Sequence, residues 1–167
     1  MTDNDTMTVD QIVAELDEML VVTSNSPTLA QRLSGKELTV LYEFIAATGE
    51  DGEPTIQPYV MHVSRAERGV RPGAVPYDTV DIVIRALPLT LHRLTSGELN
   101  GREAIVSGML DIRKAPSLPR LLMMRGLFNQ YKKMRARNQI ADSAAGFDQP
   151  DENCAVETSQ LPARELP

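Results

Sequence analysis

Two periodicities alternate along this chain, and together they decide what it can fold into. Residues 38–47 repeat at every second position. Leu38, Val40, Tyr42, Phe44 and Ala46 share one face, and Thr39, Leu41, Glu43, Ile45 and Ala47 share the other, which is strand spacing. Residues 8–22 repeat at three- and four-residue steps instead. Val9, Ile12, Val13, Leu16, Met19 and Leu20 line one face of a helix, with Thr8 as its cap and Asp10 in the first turn, where the helix dipole favours an acid. A chain carrying both patterns must pack helices on a sheet.

The remaining segments extend this alternation. Ser26-Pro27 starts a short helix through Leu29 and Leu33, stopped near Gly35. The polar turn Gly49–Pro54 leads to a second strand at 55–64, paired antiparallel with the first, in which Pro58 marks an edge or a bulge. Gly69, Pro72, Gly73 and Pro76 leave room only for a short, irregular strand within 65–78. Thr79–Leu87 is a cleaner strand, with Val80, Ile82, Ile84 and Ala86 on one face and Asp81 and Arg85 opposite. Pro88 then opens a helix that Gly97 stops, Arg102–Val106 forms a short helix ended by Gly108, and Met109–Arg113 forms a last strand. The Pro116–Pro119 step introduces a final helix to about Arg137, with an apolar stripe of Leu118, Leu121, Met124, Phe128, Tyr131 and Met134. The expected class is α+β, a mostly antiparallel sheet with its helices on one side.

At 167 residues and 18.4 kDa the length suits one domain and a tail. We expect a domain at 1–140 and an acidic, disordered tail at 141–167, where Gly, Pro, Ser and acids dominate. No apolar run approaches the roughly 18 residues that cross a bilayer. The single cysteine, Cys154, allows neither an intramolecular disulfide nor a cysteine-built metal site, and His62 and His92 lack metal-ligand spacing. The acidic opening Met1–Asp5 has no leader pattern, so the expected compartment is cytoplasmic. No metal and no cofactor are expected.

The net charge of −6 conceals an asymmetry. Lys114 to Arg137 carries seven basic residues and no acid, whereas Asn138 to Pro167 carries six acids and only Arg164. The basic block reads either as a solvated helix face or as a surface for anionic lipid headgroups or the phosphates of an acyl thioester. Nucleic acid is rejected as a partner, because the chain is acidic and no recognition motif surrounds the block.

One stretch is more specific. Leu91–Arg113, with Ser96-Gly97, Leu99, Ala104, Ser107-Gly108, Leu110 and Ile112 following the strand at Thr79–Arg85, resembles the signature of the sterol carrier protein family, type two. The clear similarity covers about 60 residues, and a looser one spans 8–137. Two departures stand out: Lys114-Ala115-Pro116 replaces a glycine-acidic turn, and the Pro-rich 72–76 segment replaces a regular strand. The resemblance implies a five-stranded sheet covered by helices, with an apolar tunnel closed in part by the C-terminal helix. It also implies binding of sterols, fatty acids, acyl thioesters or similar lipids without chemistry, and no peroxisomal tripeptide ends this chain. The candidate lining residues are Tyr42, Phe44, Ile82, Ile84, Leu110, Ile112, Leu121, Met124 and Phe128. On pattern alone a Leu/Met stripe is core more often than a ligand wall.

Catalytic groups are not evident. His62 and His92 read as surface or structural histidines, and Glu43 and Asp81 as solvent-facing or ion-paired carboxylates. No nucleophile elbow and no phosphate loop occurs. A non-enzymatic carrier of a hydrophobic small molecule is therefore the leading expectation. A cyclase or accessory enzyme that folds a hydrophobic biosynthetic intermediate in the same cavity is the alternative. A third reading is an interaction module whose basic helix and acidic tail engage each other or another protein.

Overall fold

The alternating run becomes the middle of the sheet. In the computed structural model, which describes residues 7–27, 31, 36–48 and 52–145, β1 (Leu38–Thr48) is the third of five strands in the order β3-β2-β1-β4-β5. It pairs antiparallel with β2 (Pro54–Val63), Leu38 opposite Val63, and parallel with β4 (Ile82–Ala86), Val40 opposite Ile82. The edges are β3 (Arg68–Pro72), antiparallel to β2, and β5 (Leu110–Lys114), antiparallel to β4. The sheet is thus mostly antiparallel, with one parallel pair.

Pro58 causes no bulge; the register shift lies between Ile45 and Thr48 instead. The Pro58 carbonyl accepts from Gly73 N (3.0 Å) on the β3 side, one residue past the end of the β3 pairing. Its missing N–H therefore costs the β1 ladder nothing.

The parallel pair requires the chain to return across the sheet after β3. Residues 73–81 make that return over the face opposite the described helices. Val75 packs there against Leu41, Val80 and Val83, and Tyr77–Thr79 forms a 3₁₀ turn. Lys114 of β5 donates its ammonium to the Tyr77 and Val80 carbonyls (2.7 and 2.5 Å). Strand β4 starts later than the expected Thr79 because Asp81 is bound sideways to β1: its N–H donates to Thr39 O (2.9 Å), and its carboxylate accepts from Thr39 N (2.8 Å).

Among the described residues, four helices cover the other face. α1 (Val9–Ser24) begins with Thr8 and Gln11 as a reciprocal capping box and buries Ile12, Leu16, Met19 and Leu20. Its Asp17 accepts the Val70 N–H of β3 (3.1 Å), laying the helix along that edge. α2 (Pro88–Ser96) starts on Pro88 and ends at Gly97, whose φ of 88° is left-handed. α3 (Gly101–Val106) is capped by the Asn100 side chain. α4 (Leu118–Ala145) runs beyond the expected end at Arg137. The helix expected from Ser26 to Gly35 lies mainly outside the described residues; of the tail expected at 141–167, residues 141–145 continue α4 as helix and 146–167 lie outside the described residues.

The buried face of α4 differs from the expected stripe. Met123, Leu127 and Tyr131, four residues apart, are buried; Met124 and Phe128 are half-buried, and Leu118 and Leu121 are 68% and 42% exposed. Its first three turns are apolar nearly all round, so periodicity leaves the rotation undetermined. Two ion pairs set it: Arg120 with Asp81 (3.2 Å) near the start, and Arg135 with Glu15 (2.9 Å) further along.

Candidate functional site

The helix-covered side of the sheet is one apolar cluster. β1 contributes Val40, Tyr42 and Phe44, β4 contributes Ile82 and Ile84, and β5 contributes Leu110. The Tyr42 and Phe44 rings are stacked, with centroids 5.7 Å apart at 7°, and Phe44 meets Tyr59 edge-on at 5.9 Å. Met19 of α1 and Met123, Leu127 and Tyr131 of α4 complete the cluster from above. Of the candidate lining residues, Tyr42, Phe44, Ile82, Ile84 and Leu110 meet inside it. Met124 and Phe128 pack against it, Ile112 is half-buried, and Leu121 points to solvent.

A cleft of about 790 Å³ opens beside this cluster, along the first three turns of α4. Leu118, Pro119, Leu122, Met123 and Gly126 supply its apolar wall, and Lys36 and Arg125 place cations at it, with Gln31 and Asn129 as neutral polar neighbours. The volume falls within the range of about 300–1,000 Å³ that small-molecule sites occupy. Met123 belongs to both compartments. It is 6% exposed, lines the cleft and is part of the buried cluster. Of these wall residues, Leu118 belongs to the apolar stripe legible in the sequence and Pro119 to the step that opens the helix. The available signal was the run Leu121-Leu122-Met123-Met124, which exceeds what one helix face can bury.

Further along α4 the contacts become polar. Glu15 of α1 is 9% exposed and accepts from Arg135 Nη1 (2.9 Å) and Thr95 Oγ1 (2.5 Å), while its other oxygen pairs with His92 Nδ1 (2.6 Å). Tyr131 donates to Glu18 (3.3 Å), and burial together with the Glu18 and Glu15 carboxylates pushes its pKa up to about 12. A cavity of about 350 Å³ beside this node is lined by Gln11, Ala14, Glu15, Glu18, Tyr131 and Arg135. One carboxylate thus ties three helices together. His92, bonded to Glu15, is a satisfied structural histidine, and His62 is bonded to Thr39 Oγ1 (3.1 Å).

Neither strand carboxylate faces the interior. Glu43 lies on the face opposite the described helices, held by Arg85 (2.8 Å) and the Tyr77 hydroxyl (2.6 Å). That hydrogen bond is the main reason the Tyr77 pKa is raised. Asp81 is shared by Thr39 N and Arg120. Among the described residues no three His, Cys, Asp or Glu side chains converge as metal ligands, and no helix is long and apolar enough to cross a membrane.

Solved structures with this arrangement exist. The sterol carrier protein domain 2 of Helicoverpa armigera superposes with a TM-score of 0.54 at 16% identity, covering 79% of this chain and 94% of that one. Sterol carrier protein 2 from Yarrowia lipolytica, in its apo form, gives 0.52 at 13% identity, covering 77% and 94%. The fold is that of sterol carrier protein 2. The UbiJ-SCP2 ubiquinone synthesis protein shares it, with a TM-score of 0.51 at 15% identity over 77% of this chain and 97% of that one. No protein-family model matches the sequence, and no curated protein does. The sterol carrier protein 2 fold is therefore established here by shape, at identities where side chains have diverged.

Proposed function

We propose that this protein is a non-enzymatic carrier that binds a hydrophobic small molecule between the sheet and α4 and transfers it. Fatty acids, acyl thioesters, sterols and similar lipids are the candidate cargo. The observation that carries the reading is the position of Met123, a wall residue of a lipid-sized cleft that also belongs to the buried, mostly apolar cluster. Swinging that side chain aside joins cleft to core, and each methylene then buried contributes about 0.8 kcal/mol. The shared fold with two sterol carrier proteins supports the same reading.

The carrier acts in the cytoplasm and loads or unloads at an anionic membrane. Leu118, Leu121 and Leu122 are exposed at the start of α4, beside Arg125 and Lys36, so apolar and cationic groups share one surface. The carrier unit is the 1–140 domain, with α4 running on to Ala145.

Titrating delipidated protein with fluorescent fatty-acid and sterol analogues tests the proposal. Saturable binding of at least one is expected, with faster transfer to anionic than to zwitterionic vesicles. No saturable binding to either would overturn it. The cyclase or accessory-enzyme reading gains from the ubiquinone synthesis protein of the same fold, and turnover of a specific intermediate would favour it over carriage.

A further inference from the structure

Among the described residues, only two buried side-chain polar atoms lack a hydrogen-bond partner, Tyr42 Oη and Arg68 Nη1. They differ in kind. Arg68 keeps a bond from Nε to the Ser64 carbonyl (3.2 Å) and is half-buried on edge strand β3. Tyr42 has a single polar atom and is 1% exposed at the centre of the sheet. Its Cα neighbours on the flanking strands are Tyr59 and Ile84, and its ring is stacked on Phe44. The stack fixes the ring, so the hydroxyl cannot swing towards a distant acceptor. Phenylalanine would fill the same space without stranding a hydroxyl. The oxygen lies within the apolar cluster that Met123 shares with the cleft.

Resting on the carrier reading above, we propose that Tyr42 is the polar anchor of the interior, and that it selects a neutral lipid bearing a hydroxyl or carbonyl oxygen over a fatty-acid anion. Burial raises the pKa of the phenol, so it remains a proton donor and would meet an acceptor oxygen on the ligand. The fully buried polar residues among those described include no lysine, arginine or histidine. The part-buried arginines Arg85, Arg120 and Arg135 are already paired with Glu43, Asp81 and Glu15, and Arg68 lies on edge strand β3, two strands away from Tyr42. A carboxylate brought to Tyr42 would therefore enter an apolar region without a counter-charge, which is strongly unfavourable. A neutral oxygen meets no such penalty and satisfies the stranded hydroxyl.

The test displaces a fluorescent lipid analogue from the delipidated full chain, wild type and Tyr42→Phe, using hexadecane, hexadecanol and palmitate at neutral pH. Wild type is expected to bind hexadecanol about fivefold more tightly than hexadecane, the factor a single neutral hydrogen bond supplies, and to bind palmitate more weakly than the alcohol. Tyr42→Phe should lose the alcohol preference while keeping its affinity for hexadecane, with thermal unfolding confirming that it is folded. Equal alcohol preference in both proteins overturns the assignment, as does a wild type that binds hexadecane and hexadecanol alike. A more stable Tyr42→Phe protein with unchanged ligand order would mean that the hydroxyl is merely unsatisfied or water-bound, and would also overturn it. Failure of every probe to bind wild type would instead remove the carrier reading on which the assignment rests.

Discussion

Phe44→Ala is expected to lose about 3–5 kcal/mol of folding stability in urea unfolding, the cost of emptying a fully packed aromatic site. Phe44 is 1% exposed on the central strand, stacked on Tyr42 and edge-on to Tyr59, so neither neighbour can relax into the space without losing its own ring contact. The vacated volume would be apolar, and an apolar guest should recover part of the loss, because a ligand that binds only the folded state stabilises it by mass action. A loss below about 1 kcal/mol would mean that the ring borders open space in the free protein and is not packed.

Glu15→Ala should have the second largest effect. It removes the acceptor shared by Arg135, Thr95 and His92 and leaves the Arg135 guanidinium and the His92 ring facing a void. A wholly buried broken pair costs more, but Arg135 and His92 retain side-chain exposures of 36% and 28%, so water compensates in part. We expect a loss of about 2–3 kcal/mol. Because the node joins α1 and α2 to α4, the loss should be concentrated in α4. Trypsin should then cut at Arg125, Lys132 and Lys133 well before the sheet unfolds. Arg135→Ala alone should cost about 1 kcal/mol, since the other partners of Glu15 remain. A Glu15→Ala protein as stable and as resistant to trypsin as wild type would show that the node does not hold the helix.

Much of the fold was legible because backbone periodicity and end signals are local. The two-residue repeat of 38–47 became β1, Thr8 capped α1, and Pro88 and Gly97 bounded α2. What failed to show was whatever depends on a distant partner. The rotation of α4 is set by Asp81 and Glu15, and no window around Leu118–Phe128 contains either residue. The path of 73–81 follows from the parallel pairing of β1 with β4, which the local Pro and Gly signals could not reveal. Glu15 itself leaves a trace in the sequence. It lies three residues after Ile12 and four before Met19, on the buried face, where an acid must find partners.

The candidate site divides in the same way. Tyr42, Phe44, Ile82, Ile84 and Leu110 could be named from alternation, since strands send alternate side chains to one face. The cleft could not be named, because its wall consists of residues on α4 that the sheet leaves uncovered. Carriage requires those two regions to join around a guest.

The most direct measurement is to expose the delipidated chain to a mixed cellular lipid extract, re-isolate it by gel filtration, and identify what is retained by mass spectrometry. A lipid in near-equimolar amount, rich in neutral oxygenated species and lost when Met123→Trp blocks the cleft, is the expected result. Re-isolated wild-type protein that carries no lipid would contradict the account.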